Sequence, residues 1–307
     1  MKKDMRNLKL GVISGGMSAE KDVCLMEGEE IYKLFKSNDF NIQHIIIDKD
    51  LSAAGDKIIN AEFDFAFLAL TEDVPVQDLL DMMHIPYNGS SRLATTVSMD
   101  KVLTKQLVQS IGVLTPKYFH TRNQSGMELF LSEVKKMNFP IVIKPGNLGT
   151  SIGISFVNSD EQLMPAIERC LQYSNYILAE EFIDGIEVTI PMMGDNFIGI
   201  VEIHPEKKLY DNESKIDNLR EQICPSQLPE KIQNDILKQA KQIYKLLGCE
   251  GMIRIDGIIL RDKFYFLEIN TLPYMVGTDA PIQVATKLYN MDKLKFLTSI
   301  IENKLSK

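Results

Sequence analysis

The chain is short of the residues that cysteine, histidine or nucleic-acid chemistry would need. Its four cysteines, Cys24, Cys170, Cys224 and Cys249, are scattered and show no CxxC spacing. They read as free thiols in a reducing cytosol. The four histidines, His44, His84, His120 and His204, form no close pair or ligand-like spacing, so they read as structural or surface residues. Positive charge is also scarce: 34 Lys and Arg against 42 Asp and Glu give a net charge of −8. A phosphate backbone needs a basic surface, so nucleic acid is not the expected partner, although a local basic pocket for one nucleotide remains compatible. No apolar run approaches the roughly 18 residues of a membrane span. The charged start Met1-Lys2-Lys3-Asp4-Met5-Arg6 leads into a strand rather than a signal-peptide core. There is no internal repeat or low-complexity tract. These absences predict a cytoplasmic protein with neither a nucleic-acid nor a membrane partner.

What is present is ordinary for a soluble globular chain. Hydrophobic residues make up 45% and charged residues 25% of 307 positions, enough for two or three domains. Strands are expected over 8–14, 42–47, 65–70 and 85–89, with helices from the Gly15-Gly16 turn to about 36, over 78–83 and over 98–111. Strands alternating with helices imply a parallel α/β sheet. Beyond 117 the character changes. Strands are expected over 139–145, 176–183, 186–191 and 197–203, helices over 159–174, 228–247 and 291–304, and a hairpin over 254–270. The division this suggests is an N-terminal α/β domain over 1–96, a central domain over 97–184 and a C-terminal domain over 185–307.

The densest polar constellation is that hairpin. Asp256, Glu268 and Asn270 lie in Arg254-Ile255-Asp256-Gly257 and Leu267-Glu268-Ile269-Asn270. Residues two apart share a strand face, so Arg254 goes with Asp256 and Glu268 with Asn270, while the interleaved isoleucines make the other face apolar. Three oxygen ligands suit Mg²⁺, which usually shares its shell with substrate phosphates. A polar surface hairpin is the plainer alternative. Lys144 ends a strand and is followed by Gly146, Gly149, Thr150, Ser151 and Gly153. Amides and hydroxyls there can donate to phosphate oxygens while the lysine neutralises charge; a generic flexible loop is the alternative. Gly15-Gly16-Met17-Ser18-Ala19-Glu20 sits at a strand-to-helix turn suited to an anion, or to an ammonium group on Glu20, or to simple capping. Glu180-Glu181-Phe182-Ile183, with Glu187 beyond, reads as an adenine- and ribose-binding strand end or as a solvated acidic edge. Lys215 lies in a charged loop.

Taken in order, these motifs resemble the D-alanine–D-alanine ligase family of the ATP-grasp superfamily over nearly the whole chain. Gly15 to Glu20 is similar to the family's N-terminal signature, and Ile85-Pro86-Tyr87-Asn88-Gly89-Ser90 with Met99-Asp100-Lys101 to its entry into the central domain. Lys144-Pro145 with Gly149-Thr150-Ser151-Ile152-Gly153 looks like its phosphate-covering loop. Glu180 to Gly185 with Glu187 looks like its adenine hinge, and Tyr210-Asp211 with Glu213 and Lys215 like its ω-loop. Arg254-Ile255-Asp256 and Glu268-Ile269-Asn270-Thr271-Leu272-Pro273 match its metal and phosphate site.

The resemblance implies an ATP-grasp fold with an N-terminal Rossmann-like parallel-sheet domain, α/β overall and α+β in the ATP-grasp part. It implies ATP on Lys101, Lys144, Gly149, Thr150, Ser151, Glu180, Glu181, Ile183, Glu187 and Lys215. Two Mg²⁺ ions, with Mn²⁺ an alternative, would lie on Asp256, Glu268 and Asn270. Catalytic roles fall to Glu20, Thr150, Lys215 and Arg254, and amino-acid contacts to Glu20, Arg254, Tyr274, Asp279 and Ala280. The implied partners are small amino-acid substrates and a second copy in a homodimer.

Departures cluster on the amino-acid side. The region 68–75 is shortened and lacks the family's His-Gly pair, Ile216 replaces a tyrosine, and Thr150 stands for a serine. Tyr274 stands for a glycine, and Asp279-Ala280 for a Ser-Leu pair that receives a carboxylate. The expected activity is ATP-dependent carboxylate–amine ligation through an acyl phosphate, with D-alanine–D-alanine ligase of peptidoglycan synthesis leading. The alternatives are a ligase with another acceptor and a non-catalytic ATP-binding regulator.

Overall fold

The computed structural model describes residues 5–17, 21–71, 76–149, 152–205, 220–277 and 280–306. The first unit runs β1 (Leu10–Gly15), α1 (Lys21–Lys36), β2 (Ile42–Ile47), α2 (Leu51–Ala61), β3 (Phe65–Ala69) and α3 (Val76–Met82). Its three strands pair in parallel, in the order β2-β1-β3. Every residue of β1 and β3 is buried, whereas edge strand β2 alternates. That contrast follows from covering β1 and β3 on both faces. In α1, Cys24, Glu27, Gly28, Ile31 and Phe35 are buried, one stripe at helical spacing. Gly28 sets how closely α1 approaches β1, because an added Cβ would fall 2.4 Å from Ser14 Cβ.

Two expectations fail here for visible reasons. Helix α2 was not anticipated: it buries only Ala54 and Ile58, and Asp50 caps it by accepting from Ala53 N. Its apolar stripe is too thin to stand out. The expected strand at 85–89 shrinks to a single bridge between Tyr87 and Ala66. Past that point the Asn88 side chain takes over, accepting from Leu68 N at 2.7 Å and donating to Leu68 O at 3.2 Å. An amide side chain thereby replaces one rung of backbone pairing.

The helix expected at 98–111 is two helices, α4 (Arg92–Met99) and α5 (Lys101–Ser110). Asp100 breaks them with an extended backbone and caps α5 by accepting from Leu103 N. The second unit then runs β4 (Tyr118–Thr121), α6 (Met127–Val134), β5 (Ile141–Pro145), β6 (Ser155–Val157), α7 (Asp160–Leu171) and β7 (Ile177–Glu181). These strands form an antiparallel sheet in the order β4-β7-β5-β6. Ile141, Ile143, Ile177 and Ala179 pack with Phe130, Val134, Leu163 and Ile167 of the two helices. Alternation puts Lys144 and Glu180 on the opposite face.

The third unit comprises β8 (Ile186–Met193), β9 (Asn196–Phe197), β10 (Val201–Pro205), β11 (Arg220–Ile223), α8 (Glu230–Leu246), β12 (Met252–Leu260), β13 (Lys263–Asn270), α9 (Pro281–Thr286) and α10 (Lys293–Leu305). The sheet order is β11-β10-β8-β12-β13, with β9 paired to β8. Ile253, Ile255, Ile259, Phe264, Phe266 and Ile269 pack against Ile232, Ile236, Ala240 and Ile243 of α8. The chain's two ends share one core: Val12, Phe65 and Phe67 pack with Phe296, Leu297 and Ile300 of α10. Among the described residues no helix is long and apolar enough to cross a membrane.

Candidate active site

The hairpin forms as its alternation requires. Strands β12 and β13 pair antiparallel with Arg254 opposite Asn270 and Asp256 opposite Glu268. A register shift between Asp256 and Gly257 marks a bulge just beyond the polar pair, the kind of irregularity that aims side chains beside a site. Arg254, Asp256, Glu268 and Asn270 are all half-buried, on the face away from α8.

Asp256 is the hub of this face. Its carboxylate accepts from Arg254 Nε at 2.9 and 3.1 Å, Arg254 Nη2 at 2.8 Å, Asn270 Nδ2 at 3.1 Å and Thr189 Oγ1 at 2.5 Å. Thr189 lies opposite Asp256 on β8; it is a contributor the sequence alone did not single out. Glu268 pairs instead with Lys101 Nζ at 3.3 Å. Lys101, the first residue of α5, also donates to Leu148 O at 2.5 Å, so it touches both the hairpin and the root of the glycine-rich loop.

A second row lies on the central sheet. Glu180 receives Lys144 Nζ on Oε2 and Lys105 Nζ on Oε1, each at 2.7 Å. All three are buried. Burial alone would raise Glu180, but the two ammonium groups outweigh it and hold the carboxyl below its usual range. Burial would lower Lys144, yet Glu180 and Glu268 together raise it. Lys105 goes the other way: burial pulls it down to about 8 against the attraction of Glu180. Lys105 was missed in the sequence, although it lies one helical turn beyond Lys101 and so shares its face.

These rows make a local charge cluster with an excess of positive charge in an acidic chain. Four cations (Lys101, Lys105, Lys144, Arg254) stand against three carboxylates (Glu180, Asp256, Glu268). The remaining expected residues are distributed as follows. Glu181 turns back to accept from Lys117 N at 2.9 Å. Ile183 is buried just past β7, and Glu187 is the second residue of β8, opposite Ile203 and Ile258. Gly149 lies in the loop after β5. Tyr274 packs over Gly277, where an added Cβ would fall 2.4 Å from the ring, and Ala280 is buried at the start of α9. Glu20, Thr150, Ser151, Lys215, Ile216 and Asp279 lie outside the described residues.

The loop after the hairpin is fixed from the N-terminal unit. Glu27 of α1 is buried and accepts from Met275 N at 2.6 Å, while Gln283 Nε2 donates to Met275 O at 2.5 Å. Burial, above all, pushes the Glu27 carboxyl up to about 8. Sequence reasoning passed over Glu27 because it sits mid-helix in a run of charged residues.

The donor chemistry fits a hard divalent cation. Two carboxylates oppose each other across adjacent strands, with an amide oxygen two residues along, and oxygen-only sets favour Mg²⁺. Among the described residues there is no cluster of three or more His, Cys, Asp or Glu, so this set rests on two carboxylates and an amide.

A parallel α/β unit followed by two antiparallel sheets, with lysines and a carboxylate hairpin between them, defines an ATP-grasp carbon–nitrogen ligase. The family described as D-ala D-ala ligase C-terminus matches residues 107–292. The chain is 35% identical over 284 residues to the D-alanine–D-alanine ligase of Carboxydothermus hydrogenoformans, covering 88% of this chain and 90% of that one. Among solved structures, the D-alanine–D-alanine ligase of Bacillus anthracis superposes with a TM-score of 0.85 at 29% identity, covering 97% of this chain and 98% of that one. The same enzyme complexed with ATP gives 0.83 at 28% identity, with the same coverage. The chain belongs to the D-alanine–D-alanine ligase family.

Proposed function

We propose that the chain joins two D-alanine molecules at the expense of ATP, supplying a dipeptide for peptidoglycan. The observation that carries this reading is the pairing of Asp256 with Glu268 across the hairpin, flanked by Arg254 and Lys101. Phosphoryl transfer needs positioning and charge neutralisation more than covalent help from the protein, and this row offers both. ATP would lie between the two antiparallel sheets, with Lys101 and Lys144 on its phosphates, Glu187 on its ribose and the 180–183 segment along its adenine. The carboxylate of the first D-alanine attacks the γ-phosphorus, releasing ADP and giving an acyl phosphate. The amine of the second attacks the acyl carbon, and inorganic phosphate leaves from the tetrahedral intermediate. Arg254 would stabilise charge on the transferring group, and Glu20 would hold the first ammonium.

Two Mg²⁺ ions on Asp256, Glu268 and Asn270, when bound, would neutralise the phosphate oxygens. Arg254 and Lys101, which occupy those carboxylates here, would then turn to phosphate. The 146–153 loop would exclude water from the acyl phosphate. We also take the chain as three domains over 1–96, 97–184 and 185–307, as a homodimer, and as cytoplasmic, where its nucleotide is found.

The test is ADP release from Mg²⁺-ATP with and without D-alanine, with products read by mass spectrometry. Stoichiometric ADP and D-alanyl-D-alanine support the reading. ATP binding without D-alanine-dependent turnover overturns it in favour of another acceptor or a regulator.

A further inference from the structure

Lys105 has no place in the mechanism above, yet it is the most completely buried cation in the site, with no solvent-accessible side-chain surface. It is also the one that joins three elements. It stands on α5, pairs with Glu180 on β7 and reaches Phe266 O on β13 at 3.5 Å. The contact with Glu180 Oε1 is a buried ion pair 2.7 Å long.

The arrangement poses a physical problem that Lys105 solves. Glu180 has two counter-ions, one on each oxygen. If Lys144 is to turn to a phosphate, it must leave Glu180. A buried carboxylate stripped of its only counter-ion is strongly disfavoured, so with Lys144 as sole partner the departure would oppose nucleotide binding. With Lys105 in place the carboxylate stays paired throughout. Lys105 cannot follow Lys144 to the nucleotide, because it is enclosed by α5, β7 and β13 and carries the Tyr118 ring 6.0 Å from its Nζ.

We propose that Lys105 is a positioning residue, the retained counter-ion of Glu180 that leaves Lys144 free to move onto the nucleotide phosphates. The role rests on the assignment of Lys144 to ATP made above. Titration agrees in direction: Glu180 is held ionised by the two lysines, so it needs a cation in either state. The other charge facing the two lysines is Glu268 from β13, itself paired with Lys101 of α5.

A double-mutant cycle separates this role from general scaffolding. Binding of Mg²⁺-AMPPNP is measured by calorimetry in wild type, Lys105→Met, Glu180→Gln and the double variant, with Lys144→Met as control. Lys105→Met is expected to weaken binding at least tenfold in the wild-type background and less than threefold in the Glu180→Gln background. In turnover it should raise the KM for ATP and leave that for the amino acid unchanged. An equal loss in both backgrounds, or no loss in either, overturns the proposal. Should Lys105→Met fail to fold, Lys105→Gln is read in the same two backgrounds against the same thresholds. Unchanged affinity in Lys144→Met would instead refute the phosphate assignment of Lys144, a result distinct from any failure of Lys105.

Discussion

Arg254 holds Asp256 side-on, with Nε and Nη2 both on the one carboxylate at 2.8–3.1 Å. Two residues apart on β12, they lock into a bidentate pair whose oxygens face Glu268 and Asn270. The arginine thus neutralises the carboxylate proposed above to hold a metal.

The first prediction follows from that pair. Asp256→Asn and Glu268→Gln each remove a carboxylate from the hairpin. Because loss of even an outer-shell partner costs about 10–100-fold, loss of a direct ligand should lower kcat by about 100-fold or more. ADP release at saturating Mg²⁺ measures it. Turnover within tenfold of wild type in both variants contradicts the metal assignment.

Glu27 makes stability depend on pH in an unusual direction. Its folded carboxyl titrates near 8 against an ordinary 4.5. Between those values the folded chain keeps a proton that the unfolded chain has lost. The contribution of this group is full below about pH 4.5 and declines as pH rises toward 8. Glu27→Gln removes the decline, so melting temperatures of variant and wild type should diverge between pH 5 and 8, with the variant higher at pH 8. Parallel curves would show that Glu27 titrates normally.

Asn88 replaces a strand rung. Asn88→Ala leaves Leu68 N and O without their buried partners, at about 1–3 kcal/mol for each unsatisfied group. Urea denaturation should show a loss of about 2–6 kcal/mol. A loss under 1 kcal/mol would mean that water or a backbone shift restores the pairing.

The resemblance to the family implies that Asp279 takes the place of a carboxylate-binding serine. If the acceptor is D-alanine, a second carboxylate nearby opposes it, and Asp279→Ser should lower the acceptor KM several-fold with kcat preserved. Unchanged acceptor choice and KM would place Asp279 away from the acceptor.

The sequence made some parts of this protein legible and hid others, for physical reasons. Strand β2 matches its expected bounds, and the hairpin was readable because period-two alternation separates Arg254 and Asp256 from Ile253 and Ile255. Helix α2 was hidden because two buried residues make too weak a stripe. The single helix at 98–111 became two because Asp100 is a cap in the middle of a good helical pattern. In the site, Lys101 and Lys144 were found through motifs, whereas Lys105 and Glu27 were not. Their roles depend on what meets them across the fold: Glu180 from another sheet, and Met275 from nearly the other end of the chain.

The most direct test of the central claim follows oxygen. D-alanine carrying ¹⁸O in both carboxylate positions is turned over with unlabelled ATP and Mg²⁺, and the inorganic phosphate is analysed by mass spectrometry. An acyl phosphate predicts one ¹⁸O in each phosphate released, the other remaining in the peptide carbonyl. Unlabelled phosphate would mean that water, not a carboxylate, attacks the γ-phosphorus, and the ligase reading would fall.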